Sequence, residues 1–474
     1  MPRQFFVFLL ILILFNCQEK AKISFSPEPV VARDLDGIRQ RGFIEAILDN
    51  NSLSYFIYRG RPMGYEYELM KHLSSYLKVE LKLKVISGVE EAMDKLNRGE
   101  GDVIAFPFTI TKERTQYVLF TDAFLSTHQV LVQRRPSDWR QRQADENEKS
   151  VLRNPAELIG KDVYVIKESA FKRRLENLSE EIGGEIIVHE DSADAETESL
   201  IRRVANGEIK YTVADQMIAQ VNQLYYPDID ISTVLSLPQQ IAWAVRKNSP
   251  QLSQKINQWL SLIKRDGTLI ILHEKYFNNP RFSVLLTESD YTSWNSEKLS
   301  PYDAQLKEGA AQLGWDWRLL ASLVFQESKF DPRVKSWAGA IGLMQVMPET
   351  GSLFGINNLW DPQQNIDAGV RFLKFLDSYW KKTVTDPNER MKFVLASYNV
   401  GLNHVIDAQR LANKYGKKID VWDGAVEYYL KQKSDPKYYR DALSTAGYCR
   451  CDGPVWYVKQ VLRLYEEYKI HIAA

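Results

Sequence analysis

The period of the hydrophobic pattern changes once along the 474 residues, and that change does most to limit the folds open to the chain. From about Arg33 to Phe282, strand-like and helix-like segments alternate. Leu69, Leu73 and Leu77 recur at helical spacing, and directly after them Val79, Leu81, Leu83 and Val85 alternate with polar residues as a half-buried strand does. Such alternation predicts an α/β sheet domain. Between Thr287 and Ser300 the periodic pattern gives way to Ser, Thr, Asn and Glu, and beyond it Pro301, Pro332, Pro348 and Pro362 punctuate a series of helices. A chain of this length exceeds one ordinary core, so a multidomain protein is expected: α/β over 33–282, a linker over 283–299, and a mainly α domain over 300–474. The polar stretch from Arg134 to Arg153 reads as a solvated insertion.

The amino terminus reads as a targeting segment. Arg3 precedes an apolar run from Phe5 to Phe15, about half of what a membrane-spanning helix needs. Asn16 and Cys17 follow. With Leu14 in place, residues 1–17 resemble a bacterial lipoprotein signal, which implies acylation of Cys17 and attachment to the lipid bilayer. Asn16 departs from the small residue usual before the Cys, and an ordinary secretory signal is the competing reading. Residues 18–32, with Pro27 and Pro29, form a tether. Gln18 and Glu19 follow the Cys with no Asp, so the expected place is the periplasmic face of the cell envelope, anchored to the outer membrane.

Charge and metal-ligand spacing exclude other classes. Lys plus Arg and Asp plus Glu each total 61, so no global field recruits nucleic acid. The six His residues form no HExxH or Cys/His cluster, and neither metal nor cofactor is expected. Cys449 and Cys451, separated by Arg450, support no structural expectation.

One carboxylate in the helical part stands out. Asp316 is a plausible N-cap, Asp331-Pro332 closes the segment, and Leu319, Leu323 and Glu327 are spaced by four with Leu320 and Val324 alongside. Glu327 therefore extends an apolar stripe. Desolvation penalises the charged form, raises the pKa, and lets a Glu donate a proton to a glycosidic oxygen near neutral pH. Position alone favours a helix-end Glu turned to solvent.

The surrounding residues narrow the choice. Glu327-Ser328, Phe330, Pro332, Ser336, the run from Gly339 to Pro348, Thr350, then Asn365-Ile366 with Gly369, the run from Ala396 to Gly401, and Tyr457-Val458 together resemble the ordered motifs of soluble-type lytic transglycosylases. Ser397 stands where many relatives have a small residue such as Ala. The resemblance implies a lysozyme-like fold whose partner is the peptidoglycan glycan strand. It implies Glu327 as the catalytic residue, with Ser336, Met344, Gln345, Tyr398, Asn399 and Tyr457 contacting substrate. Most glycosidases pair two carboxylates, and no second one is evident, since Asp331 reads as a helix stop. A single acid fits the family's chemistry, in which the C6 hydroxyl of the same N-acetylmuramic acid attacks and a 1,6-anhydro ring closes. Hydrolysis of the goose-type lysozyme kind is the alternative.

The first domain carries its own motifs. Gly60-Arg61-Pro62-Met63-Gly64-Tyr65-Glu66-Tyr67-Glu68-Leu69, Gly99-Glu100-Gly101-Asp102, Thr109 to Arg114, and Trp243 to Phe277 resemble family 3 periplasmic solute-binding proteins, with Glu68 where Asp is usual. The resemblance implies two α/β lobes around a hinged cleft, with the chain crossing near Phe124 and returning near Leu235. It also implies an amino acid or muropeptide ligand whose carboxylate is held by Thr109 and Arg114. An Arg fork suits two carboxylate oxygens. Asp215 either faces a ligand amine or caps a helix, and Phe56 and Tyr58 either line the cleft or pack in the core. A lipid-anchored solute- or glycan-binding protein without catalysis is the competing class.

Overall fold

A computed structural model describes residues 29–49, 51–86, 88–167, 169–191, 197–279, 291–293 and 298–473. The lipoprotein signal with Cys17, most of the tether and most of the linker lie outside the described residues. Among those described, no helix is long and apolar enough to cross a membrane.

The first half forms two sheets, as the alternating pattern predicts. In the first sheet the order is Glu80–Ile86, Phe43–Asp49, Val103–Thr109, Gln239–Arg246, Val118–Phe120, with Leu125–Thr127 also paired to Gln239–Arg246. Phe43–Asp49 runs parallel to both of its neighbours, whereas Gln239–Arg246 is antiparallel to its own. The second sheet has the order Ile187–Asp191, Asp162–Ile166, Tyr211–Asp215, Gln129–Arg134, Ile229–Val234. The chain passes between them twice, after Thr127 and after Val234, which makes the two lobes. Leu69, Leu73 and Leu77 line one face of the helix Tyr65–Leu77 and are buried against the first sheet.

Buried charge anchors both lobes. Asp102 is fully buried and faces Arg246, also fully buried, at 3.0 Å; Arg33 and Arg41 complete its shell, and the Glu45 amide donates to it at 2.9 Å. The stretch from Arg134 to Arg153 is more than a solvated insertion. Arg153 donates to buried Asp230 at 2.6 Å, Arg135 approaches the same carboxylate at 3.4 Å, and Trp139 bonds Asp228 at 2.8 Å. Its other charged side chains mask this role in the sequence.

The second half is helical. Trp317–Ser328 is capped by Asp316, whose side chain accepts from the Arg318 amide. Three more helices, Pro362–Trp380, Pro387–Val400 and Pro436–Tyr439, also begin after an Asp cap, and each of these caps is followed by Pro. The carboxylate satisfies a first-turn amide, and the proline ring suits a position whose N–H has no intrahelical partner. Trp380 donates from its indole to Ser397 Oγ at 2.9 Å inside this core, which gives the hydroxyl at that position a structural use. Cys449 and Cys451 are joined by a disulfide.

The two halves meet through a hairpin, Phe56–Tyr58 with Arg61–Met63. Ile57 is buried in the helical core rather than that of the first lobe, and Phe56 lies in the core of the first lobe. Tyr468, on the final helix Asp452–His471, donates to the Gly60 carbonyl at 2.7 Å. At Gly60 φ is +74°, and a Cβ there would stand 2.5 Å from the Phe330 ring, so only glycine lets the hairpin tip seat.

Candidate active site

Glu327 lies one residue from the end of Trp317–Ser328, where the backbone reverses through two left-handed non-glycine residues, Lys329 (φ 56°) and Phe330 (φ 62°). Such geometry is unfavourable for side chains with a Cβ and persists only where packing holds it. Here the Phe325 and Phe330 rings lie 5.8 Å apart, and the Lys329 ammonium sits 4.2 Å from the Phe325 centroid.

The carboxylate is half-buried, and the Tyr457 hydroxyl donates to its Oε1 at 2.6 Å. Burial pushes Glu327 up to about 7, against the opposing pull of the Tyr457 hydrogen bond and the Lys329 ammonium. Its protonated form is therefore accessible near neutral pH. Tyr398 is close enough that the Glu327 charge, after burial itself, pushes its phenol well above the ordinary value. Tyr398 donates to the Met344 carbonyl at 2.7 Å. These contacts bring together three separate motifs: Glu327, Tyr398 and Tyr457.

The glycine-rich loop forms a wall locked from behind. Ser336 Oγ accepts from the Ala340 amide at 3.0 Å, and Ile341 makes bridge pairings with Lys335 and Val346. Gly342 has φ +78°, and a Cβ would run into Asn365 and the Leu359 carbonyl. Asn365, from the Asn365-Ile366 motif, ties this loop to the helix Pro362–Trp380. Its amide donates to the Ile341 and Leu359 carbonyls, both at 2.8 Å, and its oxygen accepts from the Met344 amide at 2.8 Å.

The remaining candidates are placed differently. Met344 is fully buried and packs against Gly369. Gln345 donates its amide to the Val334 and Gly342 carbonyls at 3.1 and 2.9 Å. Asn399 is exposed in the last turn of Pro387–Val400. Tyr457 is largely buried, and its hydroxyl is directed at Glu327. Asp331 pairs with Arg333 at 3.0 Å, which holds its carboxyl below the usual range and leaves it unsuited to act as a second proton donor.

In the first domain, Thr109 ends the strand Val103–Thr109, and its carbonyl accepts from Arg114 at 2.9 Å; the guanidinium lies 4.6 Å from the Phe108 centroid. Asp215, on the other lobe, caps the helix Gln216–Tyr225 and accepts from the Met217 amide and the Thr127 hydroxyl, both at 2.9 Å. Burial pushes it up to about 6.

Comparison with known proteins places this geometry. Residues 46–279 match the model for bacterial extracellular solute-binding proteins of family 3, and residues 305–421 match the transglycosylase SLT domain. A membrane-bound lytic murein transglycosylase F of Desulfosudis oleivorans is 34% identical over 90% of this chain and 90% of its own length. The chain belongs to the membrane-bound lytic murein transglycosylase F family. Another such transglycosylase F, from Photobacterium profundum, is 31% identical over 91% of this chain and 81% of its own. An ancestral arginine-binding protein bound to arginine is 23% identical over 50% of this chain and 99% of its own, with a TM-score of 0.41. As a member of the transglycosylase F family the chain is an enzyme, a lytic transglycosylase with a solute-binding domain, and the family's name is consistent with a place at the cell envelope.

Proposed function

We propose that this enzyme cleaves the β-1,4 bond between N-acetylmuramic acid and N-acetylglucosamine in peptidoglycan, with Glu327 as its single acid and base. The observation that carries the reading is the half-buried Glu327 carboxylate, raised to about 7 and held by Tyr457. Protonated Glu327 gives its proton to the leaving glycosidic oxygen as the C1–O bond breaks. The resulting carboxylate then takes the proton of the C6 hydroxyl on the same muramic acid, and the C6 oxygen bonds to C1. The acid is restored, no water is consumed, and the product ends in a 1,6-anhydro ring. Within this reading Ser336, Met344, Gln345, Tyr398, Asn399 and Tyr457 shape or line the groove, several of them through the loop rather than by direct contact.

The first domain is read as a sensor. Thr109, Arg114 and Asp215 serve an amino acid or muropeptide released by wall turnover, and closure on that ligand alters access to the second domain. Cys17 attaches the chain to the outer membrane through its lipid, on the periplasmic side.

Digestion of purified sacculi tests both parts. The expected products are lighter by one water than their hydrolysed equivalents, and the rate is expected to change when amino acids or muropeptides are added. Reducing-end products would instead assign hydrolysis.

Because the proton donor must start protonated, kcat/KM is expected to fall as pH rises through about 7. Tyr457 stabilises the carboxylate form, so Tyr457→Phe is expected to move that alkaline limb upward by roughly one pH unit, the scale of one charge-assisted hydrogen bond. An unmoved limb in a pH–rate profile would disconnect Tyr457 from the catalytic acid.

A further inference from the structure

A second feature of the domain junction lies outside the acid's immediate surroundings. Next to the hairpin tip, a groove of about 270 Å³ is lined by Arg61, Tyr67, Glu68, Lys71, His72 and Lys275 among others. Its charges do not cancel. The single lining carboxylate, Glu68, accepts from Lys275 at 2.5 Å and from the Tyr276 hydroxyl at 2.8 Å. Arg61 and Lys71 form no ion pair among the described residues, and Arg61, Lys71 and His72 are exposed. Across the junction, Lys71 feels Arg463 and Glu467 of the final helix.

The groove is joined to the helical domain through the hairpin tip. Arg61 follows Gly60, whose carbonyl accepts from Tyr468 and whose missing Cβ admits the Phe330 ring, so its backbone is seated against the turn that follows Glu327. The groove offers positive charge, whereas a bare glycan presents no carboxylates beyond those of its lactyl groups. The peptides attached at those lactyl groups do carry them.

We propose that this junction groove binds the carboxylates of the acidic peptides borne by the glycan, through Arg61 and Lys71, and so sets the register of the strand at Glu327. The proposal rests on the transglycosylase reading and adds a peptide subsite separate from the cleft of Thr109, Arg114 and Asp215. Lys275 contributes charge while remaining paired with Glu68, and Tyr67 forms apolar floor.

The test uses the full chain and two substrates: glycan strands with their peptides, and strands stripped of peptides by an amidase. For the doubly substituted Arg61→Glu, Lys71→Glu protein, KM on peptide-bearing strands is expected to rise about tenfold, equivalent to about 1.4 kcal/mol. Its kinetics on stripped strands are expected to match wild type, which also shows that the fold and Glu327 are intact. Equal losses on both substrates, or no loss on either, would overturn the proposal. Failure of the Glu327 reading shows separately, as wild-type products without the anhydro mass. Sedimentation with phosphatidylglycerol vesicles supplies the remaining arm: if the substitutions abolish vesicle binding and leave both strand kinetics unchanged, the groove serves lipid headgroups and the peptide assignment is wrong.

Discussion

Glu327→Gln is expected to stop release of muropeptides from sacculi and, at the same time, to melt at a higher temperature than wild type at pH 8. The first effect follows because an amide neither donates an acidic proton nor accepts one, and loss of a general acid–base group costs roughly 10² to 10⁴ in rate. With one residue serving both steps, the upper end is expected. The second follows from linkage. Folding raises the Glu327 pKa from the ordinary carboxyl range to about 7, so the native state binds this proton more tightly than the unfolded chain. The stabilisation from that proton is complete below the unfolded pKa and is lost as pH rises through about 7. A shift of this size corresponds to at most about 3 kcal/mol, and Gln removes the cost of ionising a sheltered group. Calorimetry at pH 5 and pH 8 reads it as a wild-type penalty present only at the higher pH. Near wild-type muropeptide release by the variant would remove Glu327 from the chemistry.

Asp102→Ala is the substitution expected to damage stability most. It leaves Arg246 without its carboxylate in a fully buried position, with Arg33 and Arg41 nearby adding repulsion. Removing one partner of a buried ion pair costs about 3–5 kcal/mol, because the remaining charge cannot regain water. Arg246 keeps bonds to the Leu96, Gly101 and Arg33 carbonyls, which soften the loss but do not neutralise it. Chemical denaturation followed by tryptophan fluorescence should show the transition of the first domain at lower denaturant. A midpoint unchanged from wild type would mean that solvent reaches Arg246.

These two residues differ in how far the sequence revealed them. The helix that carries Glu327 was legible because its signals are local: an N-cap, a four-residue spacing and a Pro stop fall within one segment, while the choice of Glu327 itself rested on the motifs around it. Asp102 was legible only as part of a motif, since Arg33 and Arg246 lie 69 and 144 residues away along the chain. The Arg134–Arg153 stretch was read as solvated because charged residues at its surface outnumber the two that reach Asp230. Gln345 and Met344 illustrate the same limit. Their residue types suit a sugar, yet a backbone turn can recruit the amide and a core can recruit the thioether, and sequence spacing does not distinguish these uses.

The sequence by itself determined the two-part architecture, the alternation that builds two sheets and the capped helix that carries the acid, because hydrophobic period and capping act over a few neighbouring residues. Only the tertiary structure decided that Tyr457 reaches Glu327 across 130 residues, that Asn365 locks the glycine loop, and that Ile57 from the first half is buried in the core of the second. Each of these depends on how distant surfaces pack, and burial and hydrogen bonding between them arise only once the elements are in place.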